Sequence, residues 1–180
     1  MPEELAQEKI VAAIRAAVEE VFSMMLGLDL VIEEAHRQPN KPEPANGVVA
    51  LIGLTGKWMG TGCILCSADF ARKISGQLLS SEYASVDPEV LDAVGEIANM
   101  IIGSFKIGLE PEIGSLDMSI PVVVFGHNFT ASSIHRADWI VVPFVCGGER
   151  LVVKACLSQQ QEQHYRRASD TQTPLSQVIL

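Results

Sequence analysis

Asp92, Glu96 and Asn99, with Gly103 beyond them, are the strongest candidates in this chain for a reactive surface. At ~100° per residue they fall within an arc of roughly 60° on one side of a helix. The set presents two carboxylates and one amide in a column. It contains no Lys or Arg, so no salt bridges lace the face. Gly103 costs roughly 1 kcal/mol of helix propensity against Ala, and a glycine on an exposed face implies that another surface approaches closely there. Two other readings stand beside that one. Exposed Glu and Asn are common on helices, so the column also reads as a solvated face with a tolerated glycine. Alternatively, Asp92 and Glu96 form an acid–base pair for a small substrate. Adjacent turns of one exposed helix, however, offer no concave, desolvated pocket to raise a carboxyl pKa.

The helix that must carry the column spans residues 87–105. Asp87 can cap its N-terminus, and Pro88 sits at the first helical position, where its missing N–H costs nothing. Val90, Val94, Ile97, Ala98, Ile101 and Phe105 cluster opposite the column and form a buried face.

Composition bounds what surrounds this helix. The 180 residues suit one domain with a real core. Hydrophobic content of 48% against 19% charged indicates a globular chain. A net charge of −9 argues against a nucleic-acid backbone as the main partner. No apolar run is long enough to span a bilayer, and Glu3 and Glu4 make a poor signal peptide, so a cytoplasmic protein is expected.

Other motifs carry less. Cys63-x-x-Cys66 resembles a redox or zinc half-site, but its surroundings read as a strand, where residues three apart point to opposite faces. No second such pair and no nearby His completes a metal site, so Cys63, Cys66, Cys146 and Cys156 read as buried free thiols. His36, His127, His135 and His164 are scattered without ligand spacing. Gly53, Gly56, Gly60 and Gly62 follow no phosphate-loop spacing and read as turn and bulge positions.

Taken in order, residues 2–25 read as a long helix with the stripe Leu5, Ile10, Ala13, Ile14, Ala17, Val18, Val21 and Phe22. Met24 and Met25 read as core filler. A strand is expected over 28–35 and a surface loop over 39–46, which holds three prolines. Strands 47–54 and 58–66 should pair as a hairpin across Thr55, Gly56 and Lys57. A short helix, 68–79, is capped by Ser67 or Asp69. Residues 107–114 read as an irregular link, and 118–125 as a strand with Pro121 near its start. Strands 138–146 and 150–157 form a second hairpin around Gly147 and Gly148. The stretch 139–145 is apolar throughout, so both its faces should be covered, while Pro143 implies an edge or a bulge. A single domain is thus expected over 1–158, with a polar, partly disordered tail over 159–180. Arg166-Arg167-Ala168-Ser169 in that tail has the form of a kinase substrate string, which Arg- and Ser-rich tails produce by chance.

A long helix followed by three strands occurs twice, over 2–66 and 87–157. The expected fold is therefore α+β: two long helices on a common antiparallel sheet, with pseudo-repeated halves. Glu20-x-x-Ser23 in the first helix stands where the second offers Glu96-x-x-Asn99.

Asp92-x-x-x-Glu96-x-x-Asn99, followed by Pro121, resembles the signature of the CheC/CheX/FliY chemotaxis phosphatases. That signature is Asp or Ser, three residues, Glu, two residues, Asn, and a later Pro. Pro121 falls slightly closer to Asn99 than the pattern expects. The resemblance covers about residues 3–157 and, with one motif helix, is closest to CheX. It implies a CheC-like fold and a phosphatase acting on the aspartyl-phosphate of a CheY-like receiver domain. It assigns Asn99 to orienting the attacking water and Glu96 to docking the receiver's Lys, with Asp92 and Gly103 contacting the partner. It implies no cofactor of the chain's own, Mg²⁺ in the receiver, and a homodimer joined through sheet elements, with 139–145 as the apolar edge. The alternative is a non-catalytic receiver-binding or flagellar-switch-like module of the same fold.

Overall fold

The computed structural model describes residues 6–131 and 137–160. Helices α1 (Gln7–Glu20), α2 (Ala68–Leu79) and α3 (Pro88–Ile113) cover one face of an eight-stranded antiparallel sheet. Its strands are β1 (Val31–Ile32), β2 (His36–Gln38), β3 (Glu43–Gly56), β4 (Trp58–Cys66), β5 (Leu116–Met118), β6 (Val122–Ala131), β7 (Trp139–Cys146) and β8 (Glu149–Gln159). The order across the sheet is β1-β7-β8-β4-β3-β5, with β2 also on β7 and β6 also on β3. The α+β reading and its two related halves are both visible here. The β3–β4 and β7–β8 hairpins meet at the centre through β4 and β8. The outer strand of each hairpin is flanked by a broken strand from the other half.

Strand alternation divides the apolar residues between two clusters. Ile52, Leu54, Ile64, Val142, Phe144 and Val153 face the helices, against Ile14, Phe22, Phe70, Val94, Ile101 and Phe105. Val49, Cys63, Trp139, Val141 and Cys156 form a smaller cluster on the other face. Cys63 and Cys66 thus lie on opposite faces, and all four cysteines are buried free thiols. Gly60 and Gly62 are not turn or bulge residues, since both sit in continuous register within β4. Gly62 is where α3 seats on the sheet: a Cβ there would lie 2.6 Å from Ile102 Cδ1.

Several expectations need correction. The 107–114 stretch is not a link, because α3 runs through Pro111 to Ile113. The N–H that Pro111 lacks would have met the Ile107 carbonyl, and Ile107 is exposed, so water can serve that carbonyl. The first helix ends in a π-helical segment, Val21–Leu26. The wider turn shifts the phase of the stripe, and Met24 and Met25 face solvent rather than the core. The 28–35 strand is reduced to β1, followed by β2. Part of the 39–46 loop belongs to β3, which keeps pairing with β6 across a register shift between Ala45 and Gly47. The 118–125 strand is divided into β5 and β6.

β7 is not an edge strand. β8 pairs with one side, and β1 and β2 with the other. Pro143 falls between the β1 and β2 pairings, where its carbonyl accepts from the Glu33 N–H at 2.9 Å. The donor that Pro143 lacks is therefore missing where the β1 ladder ends, not within it. Residues 1–5, His135 and the tail from 161 onward, with the 166–169 string and His164, lie outside the described residues.

Candidate functional site

The start of α3 is fixed by local and tertiary bonds. Asp87 caps it, its carboxylate accepting from the Val90 N–H at 2.9 Å. Pro88 occupies the first turn as expected. The incoming loop is held from α2. Arg72 donates to the carbonyls of Tyr83 and Ala84, both at 3.1 Å, and pairs with Asp69. Ser75, buried in α2, donates to the Val90 carbonyl at 3.2 Å. Ser67 caps α2 in turn, accepting from the Phe70 N–H at 3.0 Å. At the far end of α3, Glu110 accepts from Lys106 at 2.9 Å and from the Leu116 N–H at 3.1 Å. These two donors hold its carboxyl below the usual carboxylate range, Lys106 contributing most.

Between those ends the expected buried face is buried: Val90, Val94, Ile97, Ala98, Ile101 and Phe105 are all in the core. Asp92, Glu96 and Asn99 are exposed on the opposite side, and Gly103 is half-buried. Glu96 and Asn99 are one turn apart, about 5–6 Å between Cβ atoms. Asp92 and Glu96 are like charges four residues apart, an arrangement that costs ~0.2–0.5 kcal/mol in a helix. No described cation offsets it. Lys106 is committed to Glu110, and Lys9 to Glu112. Among the described residues, none of Asp92, Glu96 and Asn99 has a side-chain hydrogen bond or ion pair.

The counterpart positions on α1 are engaged within the fold. Glu20 accepts from the Ser104 hydroxyl of α3 at 2.7 Å, and Ser23 donates back to the Glu19 carbonyl at 2.6 Å. The Glu20 bond joins the first helix to α3, the Ser23 bond closes within its own helix, and the column on α3 is left open.

Gly103 is not forced by a contact inside the chain. A Cβ there would meet only Met118 Sδ, at an ordinary 3.9 Å. The tight glycine is Gly95, which the sequence reading passed over. A Cβ on it would lie 3.3 Å from Val123 Cγ2 and 3.6 Å from Pro121 Cγ. Its signal was its place one turn before Asn99, on the flank of the column. Pro121 thus reaches the motif helix through Gly95.

A cleft of about 240 Å³ lies on the sheet face away from the helices, lined by Lys41, Glu43, Cys63, Trp139 and Lys154 among others. None of the column residues lines it. Among the described residues no group of three His, Cys, Asp or Glu could hold a metal ion, and no helix is long and apolar enough to cross a membrane.

The architecture is that of CheC-like proteins. Chemotaxis protein CheX from Vibrio vulnificus superposes with a TM-score of 0.74 at 26% identity, covering 83% of this chain and 99% of that one. The CheX of a CheX–CheY–BeF₃–Mg²⁺ complex from Borrelia burgdorferi gives 0.67 at 23% identity, covering 83% and 98%. The family model for the chemotaxis phosphatase CheX matches residues 48–145. A CheY-P phosphatase CheX from Thermotoga maritima is 30% identical over 129 residues, 69% of this chain and 81% of that protein. This chain belongs to the CheX family of chemotaxis phosphatases.

Proposed function

We propose that this chain accelerates hydrolysis of the aspartyl-phosphate of a CheY-like receiver domain. The observation that carries this reading is the exposed Glu96–Asn99 pair, one turn apart on a helix fixed at both ends and engaged by no described side chain. An aspartyl-phosphate already holds an activated phosphoryl group. What hydrolysis needs is a water held in line, so the task is positioning rather than strong base chemistry. The Asn99 side-chain carbonyl accepts a hydrogen bond from that water and leaves a lone pair aimed at phosphorus. Glu96 takes the receiver's Lys in a charge-assisted hydrogen bond, which sets the register of Asn99. Asp92 and Gly103 contact the partner on either side. In this reading Mg²⁺ belongs to the receiver, where it neutralises charge on the phosphoryl oxygens. The family match and the CheY-P phosphatase relative support the reading. It includes a symmetric homodimer with one open column per subunit.

The test is direct. Phosphorylated receivers from the same cell are followed as they lose phosphate, with and without this protein. Faster decay of at least one is the expected result, and unchanged decay of all of them removes the proposal.

A further inference from the structure

The segment joining β5 to β6 runs beside the column and is fixed along its length. The Ser119 N–H donates to the Gly53 carbonyl at 2.9 Å, and the Ser119 hydroxyl accepts from the Gly53 N–H at 2.8 Å. The same hydroxyl donates to the Ile120 carbonyl at 2.9 Å. Pro121 is seated at Gly95, and Met118 stands beside Gly103. Those two glycines lie one turn before and one turn after Asn99. The 118–121 segment therefore passes Asn99 on its way from one to the other.

Ile120 is the large apolar side chain of that segment turned to solvent, at 84% exposure. A single exposed isoleucine is ordinary on a protein surface. This one differs in its setting. The residue before it is clamped to β3 and the residue after it is wedged on α3, so its backbone is ordered before any partner arrives. Ordering already made in the free protein is not charged against binding. An apolar anchor next to polar contacts also excludes water from them, as at the centres of protein interfaces.

We infer that Ile120 is an apolar anchor for the receiver, gripping it on the flank of the column beside Asn99. The inference rests on reading Glu96 and Asn99 as the receiver-facing pair. The receiver is the occupant because the surface is continuous: the carboxylates of the column offer it a cation site, and Ile120 extends the same surface along the helix flank. Its contribution is to affinity, and it touches no reacting atom.

The experiment measures binding and turnover separately. A labelled receiver from the same cell, activated with beryllofluoride, is titrated with wild type, Ile120→Ser, Ile120→Asp and a control, Val31→Ser. Val31 is another exposed aliphatic residue, 69% exposed on β1, at the far edge of the sheet. The Ile120→Ser substitution should raise Kd about ten-fold, Ile120→Asp further, and Val31→Ser should leave it unchanged. Decay of the phosphorylated receiver at saturating Ile120→Ser should keep the wild-type rate. A wild-type Kd for Ile120→Ser, an equal loss with Val31→Ser, or a fall in the saturated rate alone would each overturn the anchor. A wild type that neither binds nor accelerates overturns the function reading itself and the anchor with it. An active wild type with an unaffected Ile120→Ser removes only the anchor.

Discussion

Pro121 packs against the motif helix at Gly95, where a Cβ would stand 3.6 Å from Pro121 Cγ and 3.3 Å from Val123 Cγ2. The contact ties the β5–β6 segment to the turn that carries Glu96. Gly95→Ala asks Val123 to give by a few tenths of an ångström and gains helix propensity of up to ~1 kcal/mol. It should leave stability close to wild type. Gly95→Leu drives a branched side chain into both neighbours and should cost ~1–3 kcal/mol, read as a lower urea midpoint. Equal midpoints for the two variants would mean that Pro121 and Val123 are not held there.

Asn99 is exposed and bonded to no described side chain, so Asn99→Ala should leave the unfolding free energy from urea titration unchanged within ~0.5 kcal/mol. It should still capture the activated receiver. Losing the oriented water should remove most of the acceleration, on the order of 10²-fold. A variant that dephosphorylates at the wild-type rate would show that Asn99 does not position the water.

Glu96 is assigned to association. Glu96→Ala should weaken receiver binding, and Glu96→Lys should weaken it further by setting two cations against each other. Both effects should shrink at high salt, where exposed charges are screened. If neither substitution changes the Kd for the activated receiver, the Lys-docking role is wrong.

What the sequence disclosed was local. Asp87, Pro88 and the stripe from Val90 to Phe105 lie within one helix, and each acts through neighbours a turn away. The hairpins were legible for the same reason: Gly147 and Gly148 supply the positive φ that the tight turn between β7 and β8 requires. The misreadings turn on partners distant in sequence or on phase. Gly95 acquires its meaning from Pro121 and Val123, which the sheet returns to it. The 107–114 stretch reads as a link unless one knows that the carbonyl Pro111 deprives is solvated. Met24 and Met25 continue an apolar run, but the π turn swings them out. Pro143 makes β7 read as an edge or a bulge, and the two strands that cover it are too brief to register as a periodic pattern.

The cysteines give a prediction about reactivity. Burial pushes the Cys63 thiol up to about 12, and Lys154 pulls it back only in part. Burial also pushes Cys66 up to about 12. A raised thiol pKa leaves roughly one thiolate in 10⁴ at pH 8, and the thiolate is the nucleophile. Cys146 and Cys156 are buried as well. A disulfide reagent should find no fast-reacting thiol in the native protein at pH 8 and four after denaturation. A native thiol reacting at the rate of a free peptide cysteine would show that the fold exposes one of them.

A dimer must form through a strand other than β7. β7 is enclosed, so it cannot supply the apolar edge of a dimer. β6 can. It pairs only with β3 among the described strands, is ten residues long, and carries no Lys, Arg, Asp or Glu. Sheet edges are normally blunted by such charges, by bulges or by short length. β6 is bulged at His127 and Asn128, which together oppose Asn46. The 122–126 stretch ahead of the bulge is regular and uncharged and suits a second copy, because two antiparallel β6 strands can pair about a two-fold axis. The 119–121 link precedes the strand, and the Glu96–Asn99 column faces away from the sheet, so neither belongs to that ladder. Light scattering coupled to gel filtration at micromolar concentration should give about twice the 19.5 kDa chain mass. Val123 faces α3, which turns Val124 to the other side of the strand. Val124→Lys would set like charges near one another across the axis and should shift the protein toward monomer. A wild type that runs at the monomer mass removes the dimer and leaves the phosphatase reading intact. A dimer undisturbed by Val124→Lys would move the interface off β6, with β1 and β2 as the remaining edge.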